Sequence, residues 1–169
     1  MGRAIGAVSA LLLAAGLATG ARAADIVTTP KLSWRLAAQL ATDAVTICEQ
    51  RGYPVTAAVV DTSGLEQALV KSDRSHPQSV TIAYRKAYTA MVYAPLFGMS
   101  TTGELIAARP QLANGPLNTV PAILFAAGGV AIRAGNTVVG ALGVSGAPGG
   151  DKDEACAKAA VAGIAERLK

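Results

Sequence analysis

One short segment of the chain concentrates side chains that could bind a ligand. Tyr84 and Tyr88 are four residues apart, Arg85 and Lys86 stand between them, and Thr89 follows. At helical spacing the two tyrosines share one face, and Arg85 lies beside Thr89. Such a face suits a flat apolar ligand whose carboxylates pair with Arg85 or Lys86. Alternatively, the tyrosines of an amphipathic helix pack on a sheet and place their hydroxyls at its rim.

The sequence argues against several other kinds of site: zinc, a serine nucleophile, a phosphate-binding loop and a nucleic-acid surface. The single histidine, His76, and the lack of a Cys-x-x-Cys motif exclude a multi-histidine or four-cysteine zinc site. Ser145 lacks the glycine spacing of a nucleophile elbow. No phosphate-binding Gly-Lys-Ser/Thr motif is present. The Arg85–Lys86 pair is too small a basic patch for nucleic acid.

Two further patterns have structural interpretations. Asp151, Asp153 and Glu154 stand where a helix is predicted to begin, so we expect them to favour the helix dipole rather than bind calcium. Gly140, Gly143 and Gly146 recur every third residue along a predicted strand and into the loop after it, where we expect glycine to permit close helix packing rather than dinucleotide binding. The same glycine- and alanine-rich strand could also support subunit packing.

Hydrophobic periodicity and turn residues predict an α+β domain built around an antiparallel sheet. The core must be aliphatic, because 51% of residues are hydrophobic but only 4% are aromatic. A capping box at residues 75–78 opens the tyrosine helix, Pro95 ends it, and Thr101 with Glu104 caps a short helix that ends near residue 109. The other predicted helices cover residues 32–51 and 151–168, and the strands cover 55–61, 65–72, 122–127, 130–133 and 137–145.

The N-terminal residues have the pattern of a signal peptide. Arg3 gives a positive start, residues 4–20 are uncharged and rich in Ala and Leu, and small residues at Ala21 and Ala23 suit a signal peptidase. We expect cleavage after Ala23, leaving residues 24–169 as one domain in the periplasm or outside the cell, with no membrane span. An uncleaved anchor is the alternative. Cleavage removes two basic residues and lowers the formal net charge from +4 to +2.

The two cysteines, Cys48 and Cys156, both fall on the apolar side of predicted helices. Two interpretations remain open at this point. They are two small buried hydrophobic residues, or they form a disulfide because both helices pack on the same sheet face of an exported protein. Their spacing does not distinguish the two.

Three ordered motifs resemble the GlcG/HbpS family of haem-binding and haem-degrading domains, which includes the C-terminal domain of PduO-type proteins. The motifs are RKAYTA at 85–90, AGGVAI at 127–132 and GALGVSGAP at 140–148. The resemblance covers nearly the whole mature chain. It implies a profilin/PAS-like fold with a five-stranded antiparallel sheet, assembly into dimers or larger rings, and, for exported members, haem binding.

The resemblance also implies ligand residues. Thr89, within the second half of RKAYTA, is the candidate for a threonine that ligates haem iron, and Thr101 is the second choice. His76 is chemically the better iron ligand, although at a loop-to-helix junction it could equally be a surface residue. Any haem is bound non-covalently, because there is no Cys-x-x-Cys-His motif. The Glu-x-x-Glu iron-binding pattern of one family member is also missing.

We therefore expect an exported, oligomeric protein that binds, sequesters or senses haem and is not an enzyme. The alternative is an accessory module that binds a partner protein or a small organic acid and has no haem role. A redox enzyme acting on haem is the third hypothesis, which the single histidine and the lack of an evident acid–base pair disfavour.

Overall fold

The computed structural model describes residues 1–2 and 27–169; the predicted signal peptide therefore lies almost wholly outside the described residues. The main elements are helices α1 (Trp34–Gln50), α2 (Gln78–Leu96), α3 (Thr102–Ala108) and α4 (Gly150–Gly163), with strands β1 (Thr56–Val60), β2 (Glu66–Lys71), β3 (Gly129–Ala134) and β4 (Thr137–Ser145). Short 3₁₀ turns cover Pro110–Leu112, Pro116–Thr119 and Ala165–Leu168. Among the described residues, no helix is long and apolar enough to cross a bilayer.

The four strands form one antiparallel sheet in the order β2-β1-β4-β3. Helices α1 and α4 cover one face, and α2 covers the other. The α+β class is confirmed. Strand β4 is central, paired with β1 and β3 and buried over most of its length, so it packs within the domain; a role in subunit packing stays a prediction.

The prediction of a fifth strand is also wrong, and the profilin/PAS-like arrangement stays a prediction. Residues 122–127 are not part of the sheet. Several of their backbone N–H and C=O groups form hydrogen bonds with side chains instead of with a neighbouring strand. The Leu124 N–H donates to the Thr89 hydroxyl, the Phe125 N–H donates to the Asn118 side chain, and the Ile123 carbonyl accepts from Arg85. The segment is a loop that lies along α2.

The ends of α2 differ from the prediction. No capping box forms at its start: Pro77 is the N-cap, and the Ser75 hydroxyl instead contacts the Ser79 hydroxyl at 2.7 Å. Pro95 does not stop the helix, which continues to Leu96. Pro95 stands in the last turn of α2, which ends one residue later, so the proline interrupts little of the helix. The capping box of α3 is confirmed, with Thr101 and Glu104 in the expected reciprocal bonds.

The two cysteines form a disulfide. Cys48 in α1 and Cys156 in α4 are joined, with Cα atoms 5.5 Å apart, and both side chains are fully buried. This resolves the two interpretations in favour of the bridge, since both helices lie on the same sheet face. The disulfide links parts of the chain that are 108 residues apart.

Candidate functional site

Helix α2 packs closely on the sheet through its small residues. Ala83, Ala87 and Ala90 are fully buried against the strands. A side chain at Gly143 would collide with the Ala83 carbonyl oxygen, so this glycine permits the close approach, as predicted. Tyr84 packs against this same buried cluster, which includes Val60 of β1 and Ala141 of β4, whereas Tyr88 packs against a second cluster of Leu105, Ile123 and Phe125.

The outer face of α2 is apolar and partly open to solvent. Tyr84, Tyr88, Val92 and Leu96 follow one another at four-residue intervals. The two tyrosine rings lie 6.1 Å apart, and the Tyr84 hydroxyl donates to the Gly64 carbonyl at 3.3 Å. Val92 is 41% exposed and Leu96 is 70% exposed. We call this surface, residues 84, 88, 92 and 96 of α2, the apolar face.

The turn at residues 61–65 borders the apolar face. A Cβ atom at Gly64, whose φ is +76°, would overlap the Tyr88 ring, so the turn packs directly on the tyrosines. Asp61 closes this turn by accepting the N–H groups of Ser63 and Leu65 at 2.8 and 3.1 Å. The Leu65 side chain is 65% exposed. It therefore offers further exposed apolar surface beside the tyrosines.

Arg85 supplies a cation with unused hydrogen-bonding capacity. Its Nη2 donates to the Ile123 carbonyl, which fixes the guanidinium beside the loop at residues 122–127. Its Nε–H is buried and has no hydrogen-bond partner among the described residues. No carboxylate pairs with it in that part of the chain. The side chain as a whole is only partly buried, so an anionic ligand could pair with the remaining N–H groups of its guanidinium.

Thr89, the first candidate for an iron ligand, is fully buried. Its hydroxyl donates to the Arg85 carbonyl and accepts the Leu124 N–H, both at 2.8 Å. Iron could reach this oxygen only if residues 122–124 moved away. The hydroxyl instead fixes the loop against α2.

Thr101, the second candidate, is also buried, with 2% of its surface exposed. Its hydroxyl accepts the Glu104 N–H as the α3 cap and donates to the Glu154 carboxylate at 2.9 Å. Both bonds are structural. The side chain lies at the edge of β3, since Thr101 forms an isolated bridge with Val130.

Lys86 faces the sheet rather than the ligand face. Its side chain is buried, and its ammonium contacts the Asp153 carboxylate at 2.7 Å and the Val144 carbonyl at 3.1 Å. Burial raises the pKa of Asp153, and the neighbouring Lys86 lowers it only in part. Pairing of Lys86 with a ligand carboxylate on the outer surface is therefore not compatible with this placement.

His76 lies apart from the apolar face. It is exposed in the loop before α2. Thr89 is eleven residues beyond the first residue of the helix, about 16 Å along its axis at 1.5 Å per residue. His76 and Thr89 are therefore not brought together around one metal ion. Within the described residues, no group of three His, Cys, Asp or Glu side chains could hold a metal.

The sequence interpretation missed the role of the acidic residues at the start of α4. Both Asp153 and Glu154 are buried. Glu154 accepts from the N–H groups of Gly103 and Gly128 at 2.7 and 3.2 Å, and Lys158 pairs with it at 2.9 Å. These carboxylates join α4 to α2, α3 and β3. The sequence signal for this role was the clustering of these acidic residues next to the Gly-rich loop at residues 146–150.

The family model for the haem-degrading protein HbpS-like matches residues 32–162, from before α1 to the last turn of α4. The chain belongs to the HbpS-like family. The match includes α2 and both segments that border its outer face. Among curated proteins, none matches the chain.

Three solved structures are similar to this protein over most of the chain. A crystal structure of HbpS is 35% identical with a TM-score of 0.73, covering 85% of this chain and 97% of that one. A double mutant of HbpS from Streptomyces reticuli is 32% identical with a TM-score of 0.72, covering 96% and 99%. A complex of PduOC with haem is 28% identical with a TM-score of 0.67, covering 79% and 95%.

Proposed function

We propose that this chain binds haem non-covalently on the apolar face of α2. Membership of the HbpS-like family and the likeness to PduOC, which was crystallised with haem, support this function. The observation that favours this location is the partly exposed guanidinium of Arg85, which pairs with no carboxylate in the described part of the chain, beside exposed apolar side chains. Haem has the matching chemistry, since it combines a flat apolar ring with two carboxylates.

The residues present fit such a ligand. The tyrosine pair and Val92 would contact the ring, and Arg85 would bind one propionate without giving up its bond to Ile123. Thr89 would act indirectly, by holding the loop at residues 122–124 in place. Iron ligation by Thr89 or His76 stays a prediction. When bound, haem supplies iron redox chemistry; the chain supplies the surface, the cation and their fixed positions.

We also propose export to an oxidising compartment and self-association into a dimer or a larger ring. The Cys48–Cys156 disulfide supports export, because structural disulfides persist mainly outside the cytosol. The exposed Leu65 and Leu96 side chains supply apolar surface that could be covered in an oligomer. The mass of the purified protein, from sedimentation equilibrium, tests the second point.

Titration of residues 24–169 with haemin tests the haem proposal. We expect a saturable, sharp Soret band at about one haem per chain or per dimer. Val92→Glu should weaken binding at least tenfold, because it places a charge in the apolar face. Trp34→Glu is the matched control, since Trp34 is an exposed apolar residue on α1, across the sheet. A broad, non-saturating spectrum, or equal effects of both variants, would contradict the proposal.

A second candidate function, binding of a partner protein or a small organic acid, is favoured by the exposed apolar side chains on and beside the apolar face. Leu65 and Leu96 are exposed to about two thirds of their area, as at a protein–protein contact. An accessory module that binds a partner protein or a small organic acid would show no Soret band but a defined assembly mass. A haem-degrading enzyme, the third possibility, would lose the Soret band when ascorbate or peroxide is added.

A further inference from the structure

Two clefts adjoin on the far side of the sheet from α2. They lie where the β3–β4 turn, the end of α4 and residues 30–36 meet, and they measure about 630 and 310 Å³. They lie side by side, because Ala134, Leu168 and Lys169 line both. We call the two clefts together the C-terminal trough. Its size is that of small-molecule sites.

The floor of the trough is apolar. Val161 and Leu168 line the first cleft, and Leu36 and Val139 line the second. These side chains belong to the large core cluster on the α1–α4 side or pack against it. A chain of methylene groups laid along this floor would be removed from water on one side.

The rim of the trough is basic. Four lining residues are Lys or Arg, and no Asp or Glu is among the lining residues. Two of these cations are already paired within the described residues, Lys31 with Asp61 and Lys169 with Glu166.

The two arginines of the rim, unlike its two lysines, have no carboxylate partner in the described part of the chain. They are Arg133, which donates to the Asn136 carbonyl at 3.2 Å, and Arg167. A guanidinium group favours two-point contact with a carboxylate. Arg133 is the better placed of the two, because it is partly buried in a strand and loses less side-chain freedom on binding.

We propose that the C-terminal trough binds an amphipathic aliphatic carboxylate. The head group contacts Arg133, and the chain runs past Ala134 and Leu168 toward Val139. Two neighbouring clefts with an apolar floor suit a flexible chain, and the arginines without a carboxylate partner suit its single negative charge. This site is separate from the apolar face of α2, from which the sheet divides it.

Calorimetric titration of residues 24–169 with decanoate, decanol and decyltrimethylammonium, each below its micelle concentration, tests the proposal. We expect saturable binding of decanoate at least tenfold tighter than of decanol, and no binding of the cation. Arg133→Glu should weaken decanoate binding tenfold or more. Arg74→Glu, which makes the same charge change at an exposed loop position away from the trough, should not.

A second variant keeps the test independent of Arg133. Ala162 lines the trough and is exposed on α4, so Ala162→Trp should fill the trough without disturbing the core and should also weaken decanoate binding. Absence of saturable binding, equal binding of decanol, or insensitivity to both variants would overturn the proposal. Haemin titration of Arg133→Glu should match the wild type; loss of haem binding in this variant would make the trough a haem site and overturn it as well.

Discussion

The Thr89 hydroxyl accepts the Leu124 N–H at 2.8 Å and so joins the middle of α2 to the loop at residues 122–127. The same hydroxyl donates to the Arg85 carbonyl. Through this pair of bonds, a residue that resemblance suggested as an iron ligand instead holds the loop whose Ile123 carbonyl orients Arg85. Thr89 therefore affects the candidate site by fixing the loop that orients Arg85.

We expect Thr89→Val to lower the free energy of unfolding by about 1–3 kcal/mol, because the Leu124 N–H loses its partner. Thr89→Ser keeps the hydroxyl and should cost less. Urea unfolding measures both. The haem complex of Thr89→Val should keep the wild-type Soret position; a shifted Soret band with an unchanged stability would show that Thr89 ligates iron.

The buried ion pair of Lys86 and Asp153 should behave as a structural unit. Lys86→Met leaves the Asp153 carboxylate buried without its cation, so we expect a loss of about 3–5 kcal/mol. The double variant Lys86→Met/Asp153→Asn should recover much of this loss, because the amide oxygen can still accept the Ala147 N–H. Denaturant unfolding of the two variants makes the comparison. Equal losses in both would rule out this account of the pair.

Removal of the disulfide should destabilise the fold without affecting the apolar face. Because the bridge closes a long loop, the double variant Cys48→Ala/Cys156→Ala should lose about 2–5 kcal/mol. Reduction of the wild type should have the same effect in an unfolding measurement. Haemin affinity at low temperature should not change, since α2 lies across the sheet; a parallel loss of haem binding would contradict that separation.

The Asp61 turn should make stability depend on pH. Burial raises the pKa of Asp61, but the N–H groups of Ser63 and Leu65 together with Lys31 outweigh it, so the pKa lies below its ordinary value of 3.8. The unfolded chain therefore binds a proton at a higher pH than the folded chain. The stabilisation is present above pH 3.8 and is lost as the pH falls through the folded pKa.

Urea unfolding of the wild type and Asp61→Asn between pH 6 and pH 3 measures this effect. The stability difference between the two proteins should be largest at pH 6 and should shrink below pH 3.8. A difference that does not vary with pH would mean that the Asp61 charge does not stabilise the turn that packs on the tyrosines.

Local signals predicted most of the fold. The helical stripe of α1, the β1–β2 hairpin and the Thr101–Glu104 capping box follow from neighbouring residues, and the structure confirms them. The loop at residues 122–127 has the composition of a strand. Its hydrogen-bond partners are side chains 35 and 7 residues away, at Thr89 and Asn118, which no local pattern shows.

The candidate site was predictable in part. Tyr84, Arg85 and Tyr88 are each partly exposed, but Tyr84 packs against the sheet-side cluster with its hydroxyl bonded to Gly64, as the alternative interpretation expected. Ligand binding by these residues stays a prediction. Lys86 is buried, because it shares the inner stripe of Ala83 and Ala90. The spacing of Lys86 with the alanines was visible in the sequence. A lysine is buried only when its charge is paired, however, and its partner Asp153 is 67 residues away, so the sequence did not indicate the pair.

Haemin and haem dimethyl ester, titrated against the wild type and Arg85→Ala, test most directly whether haem lies on the apolar face. If Arg85 binds a propionate, Arg85→Ala should weaken haemin binding about 10- to 100-fold, the loss of one charge-assisted hydrogen bond. The ester lacks the carboxylates, so it should bind both proteins equally. Equal weakening for haemin and its ester, or no weakening of haemin, would contradict a propionate contact at Arg85.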